Sequence, residues 1–384
     1  MENTQALNND AHENFIFQTM LTCLGNKRKL LTNIIGIIDT IRKRIGKSKL
    51  NIVDGFAGSC VVSRALAHMS DHIYTNDLEM YSYLMAKCYM MTPAQVDQAR
   101  IAQHIQAMNN LAENGPFIEG IICKLYAPKN SADIKEGERC FYTRENALII
   151  DTLRKYISDN VEIKLQTYCL VPLLNRASIN ANTAGVFKGF YKKGTVGHFG
   201  GAGENSLSRI LKPIRLDMPV WSDHKFSATC SNKDMNVLVD ELPDDIDVIY
   251  LDPPYNQHPY GSNYFMLNVI AKYEEPAVIS KVSGIPSDWN KSVYNKSSTA
   301  YDSMKQMLEK ALKKSQYVLI SYNNEGIITA EEWRTMLAPY ETRKHEFVYD
   351  TFKGSRNLAD RSDKVMEIVY ECRGTYGSPR APLP

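Results

Sequence analysis

The sequence predicts an α/β protein: a doubly wound sheet of mainly parallel strands, interrupted by a mainly helical insert. Short apolar runs ending in acidic or turn-forming residues have the pattern of buried parallel strands. Helical patterns lie between those runs, and this alternation builds a doubly wound sheet. Between residues 91 and 222 the alternation stops, giving way to helical stretches and then a glycine-rich, basic segment.

Taken in order, residues 29–45 carry a helical pattern and lead into the run 50–54 (LNIVD), a first strand closed by Asp54. Residues 61–69 predict a helix, 72–75 (HIYT) a second strand and 80–90 another helix. Helical stretches at 93–114, 143–158 and 162–175 fill the first part of the insert. The sheet resumes at 226–230 (FSATC) and 247–251 (DVIYL), the latter a near-continuous apolar run that suits a strand covered on both faces. A helix at 303–314 precedes the strand 317–321 (YVLIS). The last runs, 346–349 and 365–371, flank the polar stretch 353–363 and predict an antiparallel edge pair. The expected organisation is a discontinuous sheet domain, 14–90 and 223–372, around an insert at 91–222, with flexible termini at 1–13 and 373–384. No internal repeat is present.

With 384 residues, 44% of them hydrophobic, the chain can bury a sizeable core. Its 45 Lys and Arg against 43 Asp and Glu leave a net charge of +2, which excludes a polycation held to nucleic acid by bulk charge. The charge is segregated instead: residues 176–215 hold seven basic residues and one acid, Glu204, leaving 38 basic and 42 acidic elsewhere. A solvated charged face would look similar. Aromatics and glycines woven through the segment (AGVFKGFYKKGTVGHFGGAGEN) favour a loop that contacts a polyanion, with Lys188, Tyr191, Lys192, Lys193 and Arg209 as candidates. No apolar run of about 18 residues and no basic-then-apolar leader occurs, so a soluble, unexported, cytoplasmic protein is expected. The eight cysteines lack C-x-x-C spacing, which predicts reduced thiols and no metal site.

Three groups of residues carry chemistry. In residues 51–59 (NIVDGFAGS) an apolar strand ends at Asp54, and Gly55, Ala57, Gly58 and Ser59 follow before a helix. Small residues there let the backbone approach a ligand. The pattern is not the G-x-G-x-x-G phosphate fingerprint; it suits an adenosyl group whose amino-acid end packs against the glycines. Asp77, at the end of the next strand, stands where this topology places an acid on ribose hydroxyls, although a helix N-cap would also explain it. The second group is Asp252-Pro253-Pro254-Tyr255 at the carboxyl end of a strand. Two prolines cannot donate backbone hydrogen bonds and hold φ fixed, so this tip offers acceptors beside an aromatic ring. Such a site fits an exocyclic amino group on a flat base: two N–H donors meet two acceptors while Tyr255 stacks on the ring. The third group, residues 24–31 (LGNKRKLL), puts Lys27 near a helix start, where it is a ready partner for a carboxylate or simply a solvated helix end.

In this order LGNKRKLL, DGFAGS, ND, a basic insert and DPPY resemble the DNA adenine methylase-type (alpha-class) N6-adenine DNA methyltransferases. The likeness runs through residues 17–370 and is similar to methylases that accompany type IIS restriction enzymes. It implies a Rossmann-like S-adenosylmethionine-dependent methyltransferase fold with a target-recognition insert. Carried over by motif, Gly25 and Lys27 fall at the methionine end of the cofactor. Asp54, Phe56, Gly58 and Ser59 match the cofactor loop, and Asp77 the ribose acid. Asp234, assigned to the strand before DPPY, matches an acid at the cofactor's adenine. Asp252, Pro253, Pro254 and Tyr255 match the catalytic motif. Cys23-Leu24 departs from the pattern, since an aromatic often precedes that glycine. The implied partners are double-stranded DNA and a cognate restriction endonuclease in a prokaryotic or phage setting, with no membrane and no metal. An N4-cytosine enzyme more often resembles a serine at the place of Asp252, and RNA or protein-amide methyltransferases an asparagine. A catalytically silent DNA-binding subunit is the alternative from another class.

Overall fold

The computed structural model describes residues 10–17, 21, 25, 27–201, 203–350 and 364–374. The expectations for Cys23-Leu24, for residues 353–363 and for residues 1–9 and 375–384 lie outside them. Among the described residues nine strands are formed: β1 (Leu50–Asp54), β2 (Ser70–Asn76), β3 (Lys192–Lys193), β4 (Val196–Gly197), β5 (Ser227–Ser231), β6 (Ile246–Leu251), β7 (Ser315–Asn323), β8 (Thr342–Asp350) and β9 (Lys364–Arg373). The helices are α1 (Asp10–Phe17), α2 (Leu31–Ile45), α3 (Val61–Leu66), α4 (Met80–Tyr89), α5 (Gln98–Asn114), α6 (Ile121–Tyr126), α7 (Arg144–Asn160), α8 (Ile163–Asn180), α9 (Leu207–Leu211), α10 (Met235–Glu241), α11 (Tyr260–Asn263), α12 (Phe265–Lys272), α13 (Ser297–Lys314) and α14 (Ala330–Leu337). Residues 10–13, expected in a flexible terminus, belong to α1, which is docked through the buried Phe15 and Ile16, and Arg373, expected in the other, ends β9 opposite Tyr317.

Seven strands form one sheet in the order β5-β2-β1-β6-β7-β9-β8. The first five run parallel, and β9 is antiparallel to both β7 and β8, so the expected edge pair is present. Alternating side chains serve two faces. Ile52, Ile73, Val248 and Leu319 pack on the side of α2, α3 and α4, whereas Val53, Ile249, Val318 and Ile320 pack on that of α10, α13 and α14.

Residues 91–222 leave the sheet after α4 and return at β5. Helices α5 to α8 fill their first part, as expected, and from residue 181 on they are mostly irregular, with the β3–β4 hairpin and the short α9. Asp97 and Thr143 cap α5 and α7 by accepting from backbone N–H groups one turn on. Apart from a small cluster around Cys140, Phe199 and Ile210, this segment shares its core with the sheet. Ile101, Ile150 and Leu173 belong to the same apolar cluster as Leu50 and Ile52, and the Trp221 indole donates to the Cys88 carbonyl of α4 at 2.8 Å.

Candidate active site

The chain builds the sheet outward from β1 through β2 to β5, then crosses to β6 and works toward the other edge. The reversal between β1 and β6 opens a crevice at the carboxyl ends of the strands, where such sheets hold ligands. A cleft of about 1060 Å³ of empty space lies there. Its walls include Gly25, Lys27, Phe56, Gly58, Ser59, Asp77, Asp234 and the four residues Asp252 to Tyr255, so motifs far apart in the chain meet in one place.

Backbone bonds set its floor. The Gly55 N–H donates to the Tyr250 carbonyl and the Ala57 N–H to that of Asn76, tying the loop after β1 to both neighbouring strands. The Asn76 amide donates to the Gly55 and Lys233 carbonyls at 3.2 and 3.0 Å, which sets the spacing of three loops around the cleft. Gly58 adopts φ +52°, and its N–H donates to Asp77 Oδ2 at 2.8 Å. At Gly25, with φ +73°, a Cβ would come within 3.0 Å of the Tyr260 hydroxyl, so only glycine lets this segment pass.

Acids dominate the electrostatics. Asp54 is buried and accepts from Ser63 Oγ at 2.5 Å, while its Oδ1 has no hydrogen-bond partner. Burial pushes its carboxyl up to about 7, against the Ser63 hydrogen bond and with help from Asp252 and Asp77. Burial also raises Asp77, to about 6, although the Glu79 and Gly58 N–H groups favour its charge. Asp252 keeps 18% of its side chain exposed, enough to meet a ligand. Burial lifts it to about 6, with Lys27 pulling down and Glu367 pushing up. Lys27 Nζ lies 2.7 Å from Asp252 Oδ1 and 3.0 Å from Glu367 Oε1. Burial works against the Lys27 ammonium, but Asp252 and Glu367 together hold its pKa well above the usual lysine value. Tyr255 stands beside this group, its ring centroid 5.9 Å from Lys27 Nζ, and its carbonyl accepts from the Ile327 N–H at 2.8 Å.

A fixed carboxylate, two prolines and an aromatic ring beside an acid-lined cleft suit an amino-group substrate, and comparison with known proteins decides the family. Residues 24–336 match the family described as D12 class N6 adenine-specific DNA methyltransferase. The chain belongs to this family. Among its relatives, the type II methyltransferase M.CviAII of Paramecium bursaria Chlorella virus 1 is 27% identical over 83% of this chain and 87% of its own length. The type II methyltransferase M.NlaIII of Neisseria lactamica is 27% identical over 92% and 99%. M.FokI of Planomicrobium okeanokoites is 25% identical over 90% of this chain and 52% of the relative. This D12 class enzyme is thus an adenine-specific DNA methyltransferase on a Rossmann-like sheet.

Two sequence-assigned residues of the D12 site sit differently from expectation. Asp54 lies behind the cleft wall rather than in it, its orphan Oδ1 the only part without a protein partner. Asp234 follows strand β5 instead of ending it: it caps α10, accepting from the Asn236 N–H at 2.9 Å, and borders the cleft from there. The carboxylates that Lys27 meets are the protein's own.

The sequence reading missed Glu79, Tyr294 and Glu367. Glu79 lines the cleft, is raised to about 7 by burial and by Asp77, and accepts from the Asn268 and Asn290 amides at 2.6 and 3.2 Å. The ring of Tyr294 meets Phe56 edge-on at 5.6 Å, and its hydroxyl donates to Asn236 Oδ1. The acid two residues past Asp77 was a local signal for Glu79. The other two depend on contacts between distant segments.

The basic candidates lie outside the cleft. Lys192 and Lys193 form β3, paired with β4, and both side chains are exposed, as is Lys188. Buried Asn182 organises this region, donating to the Cys140 and His198 carbonyls and accepting from the Gly200 N–H. Arg209 is used differently from the lysines: its guanidinium donates to the Ile179 carbonyl and, at 2.9 Å, to that of Ala181, tying α9 to the end of α8. Among the described residues no group of acids, histidines and cysteines could hold a metal, and no helix is long and apolar enough to cross a membrane.

Proposed function

We propose that the cleft holds S-adenosylmethionine and that Asp252 and Pro253 present acceptors to the amino group of an adenine turned out of duplex DNA. The observation that carries this is the Asp252 carboxylate, fixed by Lys27 yet accessible, in the same cleft as Gly58, Asp77 and Asp234. The acid-rich lining suits a ligand whose sulfonium and ammonium outweigh its single carboxylate. Asp77 supplies an acceptor for hydroxyls and Asp234 with Phe56 and Tyr294 a border for a purine, while Asp54, behind the wall, adds negative charge that favours an ammonium in the cleft. When bound, the cofactor supplies an activated methyl whose sulfur leaves as a neutral thioether.

The protein's part is positioning and charge. An adenine amino nitrogen is a poor nucleophile because its lone pair is delocalised into the ring. Accepting its N–H bonds at the Asp252 carboxylate and the Pro253 carbonyl draws it toward a tetrahedral form, aims the lone pair and gives the departing proton a base. Tyr255 stacks on the base, which costs a few kcal/mol to take out of the helix. Exposed Lys188, Lys192 and Lys193, with Tyr191, face the phosphates, while Arg209 stabilises their scaffold. The matched type II methyltransferases and modification methylases favour a protective role beside a restriction endonuclease.

The test is methyl transfer from labelled S-adenosylmethionine to duplex DNA, followed by mass spectrometry of the nucleosides. N6-methyladenine is expected, and Asp252→Ala should abolish it while cofactor affinity stays within a few fold. Transfer by that variant, or N4-methylcytosine as product, would sink the assignment.

A further inference from the structure

Strand β9 runs antiparallel to β7 and sends alternate side chains to the face covered by α2. Two are acids in an otherwise apolar layer. Glu371 is paired with Arg44 of α2 and with His345 of β8, a structural arrangement at the far end from the cleft. Glu367 is fully buried and turned toward the active site: its Oε1 accepts from Ser321 Oγ of β7 at 2.5 Å and lies 3.0 Å from Lys27 Nζ. The same ammonium reaches Asp252 at 2.7 Å. A buried carboxylate is expensive unless it is paired, and a lysine needs only one acid to be balanced. Lys27, Asp252 and Glu367 thus form a trio in which two carboxylates share one ammonium.

We propose that Glu367 is a positioning residue for methyl transfer: it anchors Lys27, which orients the Asp252 carboxylate, and its negative charge keeps that carboxylate basic. This rests on the reading of Asp252 as the amino-group acceptor. Were Lys27 matched to Asp252 alone, the ammonium would neutralise the carboxylate and weaken its hold on the amino hydrogens. With the ammonium shared, Asp252 keeps more of its basicity. The groups facing Asp252 are Lys27 ahead of α2, Glu367 from β9, Asp54 from β1, Tyr250 from β6, and Tyr255 and Tyr260 beyond it. Of the carboxylates among them, Glu367 is the one that shares the lysine with Asp252.

Glu367→Gln keeps shape and an oxygen for Lys27 and Ser321 but removes the charge. The expected result is a kcat lower by about 10- to 100-fold, as for a misplaced catalytic group, with KM for S-adenosylmethionine within about threefold, the scatter ordinary for a change outside the binding contacts. The acid limb of the pH–rate profile moves to lower pH, because the charge that raised Asp252 is gone. Glu367→Asp keeps the charge and retracts the anchor, so kcat falls while the limb shifts less. A merely structural role would lower the melting temperature and leave the limb in place. Wild-type kcat and limb in a folded Glu367→Gln protein overturn the proposal. If that variant fails to fold, the same result in Glu367→Asp does so. Asp252→Asn is measured alongside: an active Asp252→Asn protein refutes the reading of Asp252, whereas a dead one beside a wild-type-like Glu367→Gln refutes only the role of Glu367.

Discussion

On the proposed reading, Asp54 is a buried acid whose charge serves a ligand in the adjoining cleft. Its folded-state pKa of about 7 stands above the usual 3.8, so the fold favours the protonated form. The stability this contributes is complete below the unfolded value and is lost as pH rises through about 7. Asp54→Asn, which retains an acceptor for Ser63, should therefore raise Tm at pH 8 and change it little only below about pH 4. On the proposed reading, a ligand ammonium in the adjoining cleft reverses the preference, since it favours the ionised form. Wild-type affinity for S-adenosylmethionine, measured by calorimetry, should strengthen as pH rises through about 7, whereas the Asn variant binds weakly throughout. A pH-independent wild-type affinity would remove Asp54 from the cofactor site. At this scale the sequence exposed the acids that end strands, Asp54 and Asp77, and the one between strand and prolines, Asp252. It did not expose Glu367: the strand was predicted, but an acid within DKVMEIVYE reads as solvent-facing until the pairing of β9 with β7 and its cover by α2 are known. Burying it is a property of three segments, not of its neighbours.

Elements were legible in proportion to how fully the sheet buries them. The central strands β1, β6 and β7 read as unbroken apolar runs because both faces are covered, and their predicted ends lie within two residues of those observed. Strand β5, at the sheet edge with no fully buried residue, gave a weaker pattern, and Asp234 was assigned to it when it caps the following helix. Helices α1, α6, α9, α10, α11, α12 and α14 were missed because none is longer than eight residues, too few turns to establish a period. The two-residue strands of the β3–β4 hairpin carry no periodicity at all; charge located that region. Its exposed lysines give a direct test. Replacing Lys192 and Lys193 by alanine should lower the slope of log K against log salt by about two, since each phosphate contact contributes about 0.9. The turnover of enzyme saturated with DNA should stay near wild type, because neither lysine lines the cleft. An unchanged slope would move the DNA path elsewhere.

For the whole molecule, the change of pattern at residues 91 and 222 marks where the chain leaves and rejoins the sheet, but it does not mark an independent folding unit. Leu173 of α8 and Ile52 of β1 share one apolar cluster, and α8 packs on α4 and α12. Such contacts between distant stretches leave no trace in local periodicity. Leu173→Ala should cost about 2–5 kcal/mol, as for other buried leucines. Calorimetry should show the loss in a single transition for the entire chain; a separate early transition for residues 91–222 would contradict the shared core. That core also limits how the enzyme handles its substrate. The chain leading into the hairpin is tied to the catalytic half by the Phe187 N–H, which donates to the Asn263 carbonyl, and by Phe190, which packs on both clusters, so on the proposed DNA path the span from lysines to Asp252 is set before any encounter. The duplex must supply the movement. Its elastic resistance to bending and unstacking differs from one base step to the next, and so enters the choice of target even at steps no side chain touches.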